Sequence, residues 1–313
     1  MRLFFATDIH GSEICWRKFL NSGEHYQADV IVLGGDMTGK ALVPVIHDGG
    51  DRWHATLLEN REELVGDDAV AAFEEAVVRR GYYPFRATPD EVRELHENEE
   101  KWHTLFAEQM LRTVERWMAI ADEKLAGTGR ACFVCPGNDD QFDVDDVIAQ
   151  AKHVQLAEGQ VVEVDGYQMA STGWSNPTPW ETYREEDEPQ LGERIRAVVG
   201  QVTAPPERTI FSLHCPPYAS KLDEAPQLTE QMDLKEAGRS TIPGGSKAVR
   251  EVIEEFQPVL GLHGHIHEAR GSTRIGKTLC INPGSSYEQG MLLGAVVELE
   301  GKKKVKRFML TSG

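Results

Sequence analysis

Five short blocks in this chain of 313 residues carry side chains of the type that bind metal ions: Asp8-Ile9-His10, Gly34-Gly35-Asp36, Gly137-Asn138-Asp139-Asp140, His214 and Gly264-His265-Ile266-His267. Asp8, His10, Asp36, Asn138, His214, His265 and His267 together supply two carboxylates, four imidazoles and one amide. Neutral imidazole with carboxylate suits borderline divalent ions such as Zn, Mn or Fe, whereas an all-oxygen set would suggest Mg or Ca. Seven ligands are too many for one tetrahedral ion and fit two ions that share a ligand. Two ions about 3.5–4 Å apart bind a bridging hydroxide and the oxygens of a phosphoryl group, stabilising both attack and departure.

Almost every block follows an apolar run, which is what an α/β fold needs to bring them together. Residues 2–7 and 29–33 are short apolar runs separated by a polar segment of helix length, the pattern of a βαβ unit. Further runs at 131–135, 160–164, 209–213, 259–262, 278–282 and 291–298 repeat the grammar and predict an α/β fold. The carboxyl ends of strands in such sheets converge on one edge, where residues distant in sequence meet. Asp8 and His10, two apart, are expected to point the same way from an extended segment, as are His265 and His267. The glycines at 34, 35, 137 and 264 permit tight turns and close backbone approach.

The alternation stops between Gly39 and Arg130, so 41–129 reads as an inserted, mostly helical subdomain. Gly49-Gly50-Asp51 predicts a hairpin within 41–65, and Val70, Phe73 and Val77 predict a helix over 67–80. Thr88-Pro89-Asp90-Glu91 is a capping-box start for a helix reaching about Ala126. Its stripe, which includes Leu95, Trp102, Leu105, Val114, Trp117 and Met118, is most simply packing against the main domain. A cap over a substrate cleft is the sharper alternative.

Composition narrows the partners. Asp plus Glu number 51 against 33 Lys plus Arg, a net charge of −18. A grip on nucleic acid needs clustered cations, and the dense basic run, Lys302, Lys303, Lys304, Lys306 and Arg307, reads as a solvated edge strand or hairpin tip. The N-terminal residues do not form a signal peptide and no stretch is apolar enough for a bilayer span, so the expected location is cytoplasmic and no membrane partner is expected. Five scattered cysteines read as reduced thiols. The pair Cys132-Phe133-Val134-Cys135 reads as buried strand rather than metal site.

The order D-x-H, G-G-D, G-N-D, H and G-H-x-H resembles the calcineurin-like metallophosphoesterase superfamily across nearly the whole chain. His214-Cys215-Pro216-Pro217-Tyr218, Gly264-His265-Ile266-His267-Glu268 and Ile281-Asn282-Pro283-Gly284-Ser285 are similar to the branch related to cyclic-nucleotide phosphodiesterases. The resemblance implies a four-layer αββα sandwich, two mixed sheets face to face with helices outside. It also implies two metal sites: Asp8, His10, Asp36 and His267 in one, and Asp36, Asn138, His214 and His265 in the other, with Asp36 bridging. It further implies a small phosphoester substrate, with a diester such as a cyclic nucleotide preferred.

One position departs from the family pattern. Family members commonly place a histidine after the asparagine ligand, to stabilise the transferring phosphate and protonate the leaving oxygen, and here Asp139 stands there. Together with Asn138 it is the candidate catalytic group. An ionised Asp139 would repel phosphate, so it must be protonated, turned toward metal-bound water, or held by a cation. The bland alternative is that it caps a turn or the helix entered near Asp143. His263 reads as a strand-end histidine satisfied by backbone, and Trp174 or Trp180, in a loop rich in aromatic and polar residues, as a surface on which a nucleobase stacks. The competing reading is a non-catalytic metal-binding scaffold that presents the insertion to a protein partner. A homo-oligomer is also open, with the insertion as the candidate interface.

Overall fold

A computed structural model describes every residue except 230, 232, 234, 236–238 and 301–303. Two six-stranded mixed sheets form its centre. The first contains β1 (Arg2–Ala6), β2 (Val30–Leu33), β7 (Ala131–Val134), β8 (Gln155–Leu156), β17 (Leu293–Glu300) and β18 (Lys304–Ser312), in the order β18-β17-β1-β2-β7-β8. Its β1, β2, β7 and β8 run parallel, while β17 pairs antiparallel with β1 and β18. The second contains β9 (Gln160–Val164), β10 (Tyr167–Thr172), β11 (Thr209–Leu213), β14 (Leu260–Leu262), β15 (Gly271–Ile275) and β16 (Thr278–Asn282), in the order β15-β16-β14-β11-β10-β9, while β12 (Glu224–Pro226) and β13 (Thr241–Pro243) pair as a separate two-stranded sheet.

Strand periodicity explains the layering. In β1, Leu3 and Phe5 enter the core between the sheets, while Phe4 and Ala6 enter the core under the helices of the outer layer. Every one of these four is buried, as expected of strands covered on both faces. The inter-sheet core joins Leu3, Phe5, Val30, Val32 and Phe133 to Met169, Ile210, Leu260 and Ile281. Each such side chain contributes about 1.5–3 kcal/mol by leaving water. Helices α1 (Glu13–His25) and α5 (Asp143–Ala149) cover the outside of the first sheet, and α6 (Glu188–Val199) and α7 (Lys247–Phe256) cover the second. The architecture is the four-layer αββα sandwich expected from the sequence.

The segment between β2 and β7 adds a sheet of its own. Strands β3 (Leu42–Gly49), β4 (Arg52–Leu57), β5 (Asn60–Val65) and β6 (Tyr83–Ala87) form a four-stranded sheet in the order β5-β4-β3-β6. The expected hairpin is therefore half of a larger sheet. β5 carries the polar run Asn60-Arg61-Glu62-Glu63 at the sheet edge, and β6, at the other edge, contains Pro84, a residue that argues against a strand in sequence. Helix α2 (Gly66–Arg79) packs Val70, Phe73 and Val77 onto one face of this sheet.

The capping box of Thr88 and Glu91 forms as read, with Glu91 N donating to Thr88 Oγ1 at 3.3 Å and Thr88 N to Glu91 Oε2 at 2.7 Å. The single long helix expected beyond it is broken at Asn98, giving α3 (Pro89–Glu97) and α4 (Glu99–Leu125). Asn98 is extended and accepts from Lys101 N at 3.1 Å, so it ends one helix and caps the next. The apolar stripe of α4 packs against the main domain: Trp117 stacks on Trp16 of α1 with centroids 5.1 Å apart. Lys304 begins β18, an edge strand as expected, whereas Lys302 and Lys303 lie outside the described residues. All five cysteines are free and buried.

Candidate metal centre

The loops leaving β1, β2, β7, β11 and β14 carry all seven expected ligands. Asp8, His10, Asp36 and Asn138 come from the first sheet, and His214, His265 and His267 from the second. Two groups of metal-type donors form among the described residues, each with its ligand atoms within 4.8 Å of one another: Asp8, His10 and His267, and Asp36, His214 and His265. A third such group joins His10 and Asp36 to Asp139. The extended segments expected to align Asp8 with His10, and His265 with His267, are absent. Asp8, His10 and His265 have φ of 53°, 35° and 67°, in tight turns just past the strand ends. Pairing across the turn compels this geometry, since Asp8 N donates to Gly35 O and His10 N to Asp36 O, each at 3.0 Å.

Asp36, a member of the second group, also faces the first. Its Oδ2 is 3.3 Å from His214 Nε2 and 3.8 Å from His10 Nε2, one imidazole of each group. His10 Nε2 and His267 Nε2 lie 3.0 Å apart, and His267 Nε2 is 3.4 Å from Asp8 Oδ1. Asn138 is aimed by Thr182, whose Oγ1 accepts from Nδ2 at 2.8 Å, which leaves Oδ1 facing His265 Nδ1 at 2.8 Å.

The residues fit metal ions by the test of their own hydrogen bonds. His214 Nδ1 lies 2.9 Å from Gly34 O, which accepts the Nδ1 hydrogen bond and turns Nε2 toward the Asp36 carboxylate, where it could hold an ion. That Nε2 is buried without a hydrogen-bond partner, as is His10 Nδ1. A buried nitrogen left unpaired costs about 1–3 kcal/mol, a cost that a ligated ion removes. In the metal-free chain the carboxylates and imidazoles compensate one another. Burial works against charge on Asp8 and Asp36, yet His214 leads the neighbouring groups that hold both below the ordinary carboxylate range. Burial likewise opposes a charged His214, but Asp36 and Asp8 push it up to about 10, while burial and His214 push His265 down to about 4.

Glycines let these groups approach. A Cβ on Gly35 would sit 2.0 Å from His214 Nδ1, and one on Gly137 would sit 2.2 Å from Asp36 Oδ1. Ser285 Oγ donates to Asp8 O at 2.6 Å, and the Tyr287 ring lies 4.8 Å from that of His10. A cleft of about 440 Å³ opens beside His267, lined by Arg270, Ser285, Ser286, Tyr287 and Glu288 among others.

The two six-stranded sheets, ordered as above and sharing one core, give the chain a four-layer fold that solved structures share. A structure of TT1561 from Thermus thermophilus aligns over 100% of this chain and 97% of its own, at 14% identity and a TM-score of 0.52. A second solved structure aligns over 99% and 98%, at 16% identity and a TM-score of 0.55. At these identities each likeness is one of fold. No family model matches the chain. An uncharacterised protein of Methanocaldococcus jannaschii, MJ1162, is 30% identical over 152 residues, which are 47% of this chain and 61% of that protein.

Several further residues position these donor groups without a sequence signal of that role. Asp140 is fully buried and accepts from Met37 N, Thr38 N, Thr38 Oγ1 and Gly137 N at 2.7–3.1 Å, tying the Asp36 loop to the Asn138 loop. Arg184, also buried, donates to Asp140 O, Gln141 O and both oxygens of Asp145. Lys40 Nζ lies 2.8 Å from Asp139 Oδ2. Asp139 therefore does not cap α5, whose preceding residue Phe142 makes no side-chain cap. His263 Nδ1 lies 2.8 Å from Leu213 O and 3.2 Å from Cys215 O, so its ring is held by backbone. Trp174 is half-buried with the Arg194 guanidinium 3.7 Å over its ring, which leaves the stacking expectation with Trp180, 66% exposed.

Proposed function

We propose that the chain is a metal-dependent phosphoesterase that holds two divalent ions, with Mn, Fe or Zn suited to its donors, and that it prefers phosphodiesters. The observation that carries the reading is the pair of Asp/His groups, one of them containing Asp36, with His214 Nε2 buried without a hydrogen-bond partner. Asp8, His10, Asp36 and His267 would hold one ion, and Asp36, Asn138, His214 and His265 the other. When bound, such ions supply Lewis-acid charge to phosphoryl oxygens and lower the pKa of water.

The chain's own residues set up that chemistry. Two ligand carboxylates leave a net positive charge on two divalent ions, which draws an anionic ester into the site. Gly34 O fixes the His214 tautomer and Thr182 fixes the Asn138 amide, so both ligands are aimed before an ion arrives. The diester preference rests on the likeness of the 214–218, 264–268 and 281–285 segments to the cyclic-nucleotide branch. Trp180 is the aromatic surface for a base: its loop is pinned by Glu185, which accepts from Thr178 and from Thr182, the residue that holds Asn138.

The test is hydrolysis of bis(p-nitrophenyl) phosphate and p-nitrophenyl phosphate by protein stripped of metal and then given Mn²⁺. The diester should turn over faster, and Asp36→Asn should lower kcat by about a thousandfold or more, since one substitution disturbs both sites. Trp180→Ala should raise KM for cyclic nucleotides and leave kcat alone. Failure to hydrolyse either ester with ions demonstrably bound would favour the scaffold reading.

A further inference from the structure

Asp139 occupies the position where the resemblance leads one to expect a histidine, and it is not alone there. Lys40 Nζ lies 2.8 Å from Asp139 Oδ2, and His10 Nδ1 lies 3.7 Å from the same oxygen. Asp139 N donates to Asp36 Oδ1 at 3.0 Å, so the ion pair abuts the carboxylate that faces both donor groups. The Lys40 side chain is 44% exposed and that of Asp139 20%, which places the ammonium on the solvent side of the carboxylate.

The backbone leading to Lys40 is held by three hydrogen bonds to two residues. Asp140 accepts from the amides of Met37 and Thr38, and Gly39 N donates to Tyr83 Oη at 2.7 Å. The ammonium has three N–H donors and Asp139 Oδ2 engages one, leaving donors for an incoming anion. The pairing also solves an electrostatic problem. A lysine next to Asp36 with no other partner would compete with metal for that carboxylate, whereas Asp139 gives the ammonium a partner of its own.

We propose that Lys40, positioned by Asp139, binds the non-bridging oxygens of the scissile phosphate and so supplies the positive charge that a histidine would otherwise bring. The proposal rests on the phosphoesterase reading. No covalent step is assigned to Lys40: it holds charge as the phosphoryl group transfers, and Asp139 acts through it.

The experiment compares wild type, Lys40→Gln, Lys40→Arg and Asp139→Asn, each restored with Mn²⁺. Metal content is measured by elemental analysis, binding of inorganic phosphate by calorimetry, and turnover on bis(p-nitrophenyl) phosphate. Lys40→Gln should keep its metal, bind phosphate about tenfold more weakly and lose about a hundredfold in kcat/KM, with Lys40→Arg recovering part of both. Asp139→Asn should keep its metal and lose part of the phosphate affinity. Wild-type phosphate affinity in Lys40→Gln would overturn the proposal. Loss of metal in Asp139→Asn would overturn it too, by making Asp139 a ligand beside His10 and Asp36. A wild type that binds phosphate but hydrolyses neither ester would overturn the hydrolase reading alone, since calorimetry still judges Lys40.

Discussion

At the scale of single residues, four of the seven proposed ligands occupy backbone that non-glycine residues avoid: Asp8, His10, Asp36 and His265 have φ between 35° and 67°. Each such residue costs about 1–3 kcal/mol and persists only where its surroundings over-determine it. Here His265 N donates to both Asp8 oxygens at 3.1 Å, and Asp8 and His10 donate in turn to the backbone of the Gly35-Asp36 turn. Gly35 is the tightest point of this lattice. Its φ is 130°, and a Cβ there would collide with the His214 nitrogen that fixes the ring. Gly35→Ala should therefore leave the far-ultraviolet circular dichroism intact while lowering bound metal, and turnover by about a hundredfold. Elemental analysis decides it: full metal content would mean that the turn yields and that close approach is not what aims His214. Gly35 and the ligands were legible because glycine beside Asp or His after an apolar run is a local pattern. Lys40 was not, since one lysine several residues past a strand has no meaning until the fold sets Asp139 against it.

At the scale of elements, the loop from β7 into α5 has to hold Asn138 and Asp139 without regular structure, and Arg184 does that from a distant segment. Its guanidinium bonds Asp140 O, Gln141 O and Asp145, and its own amide donates to Asn138 O at 3.2 Å. Removing one partner of a buried pair costs about 3–5 kcal/mol. Asp145 is 27% exposed and can rehydrate, so Arg184→Met is expected to cost about 2 kcal/mol, read as a lower urea midpoint. Asp145→Asn should cost less, because the arginine keeps its two carbonyls. Equal stability of Arg184→Met and wild type would show that the loop is held by Asp140 alone. The strands that bear ligands were readable as apolar runs because both their faces are buried. β5 was not, because a polar edge strand owes its existence to its neighbour β4 rather than to its own pattern. The break at Asn98 was likewise hidden under a continuous helical stripe.

At the scale of the whole molecule, the proposed ligands divide between the two central sheets, so bound ions would join the side of Asp8, His10, Asp36 and Asn138 to that of His214, His265 and His267. The apolar core between Leu3, Phe5, Val32 and Leu262, Met169, Ile210 joins the same sheets from beneath. Metal and core are then two fastenings of one interface, and an ion that binds the folded state alone adds its binding free energy to folding. At a free concentration one hundred times Kd that is about 2.7 kcal/mol per site, which for two sites is roughly 8 °C in Tm for a chain of this size. Chelation should lower Tm by about that much, Mn²⁺ should restore it, and Asp36→Asn should show a smaller response at the same metal concentration. Differential scanning calorimetry with and without chelator measures all three. An unchanged Tm, with ions shown to bind, would mean that they bind the unfolded chain equally well or that the sheets part elsewhere first. The acid-rich composition sharpens the expectation, because a net charge of −18 repels itself in the folded state and concentrates cations near the buried carboxylates and imidazoles that would hold them.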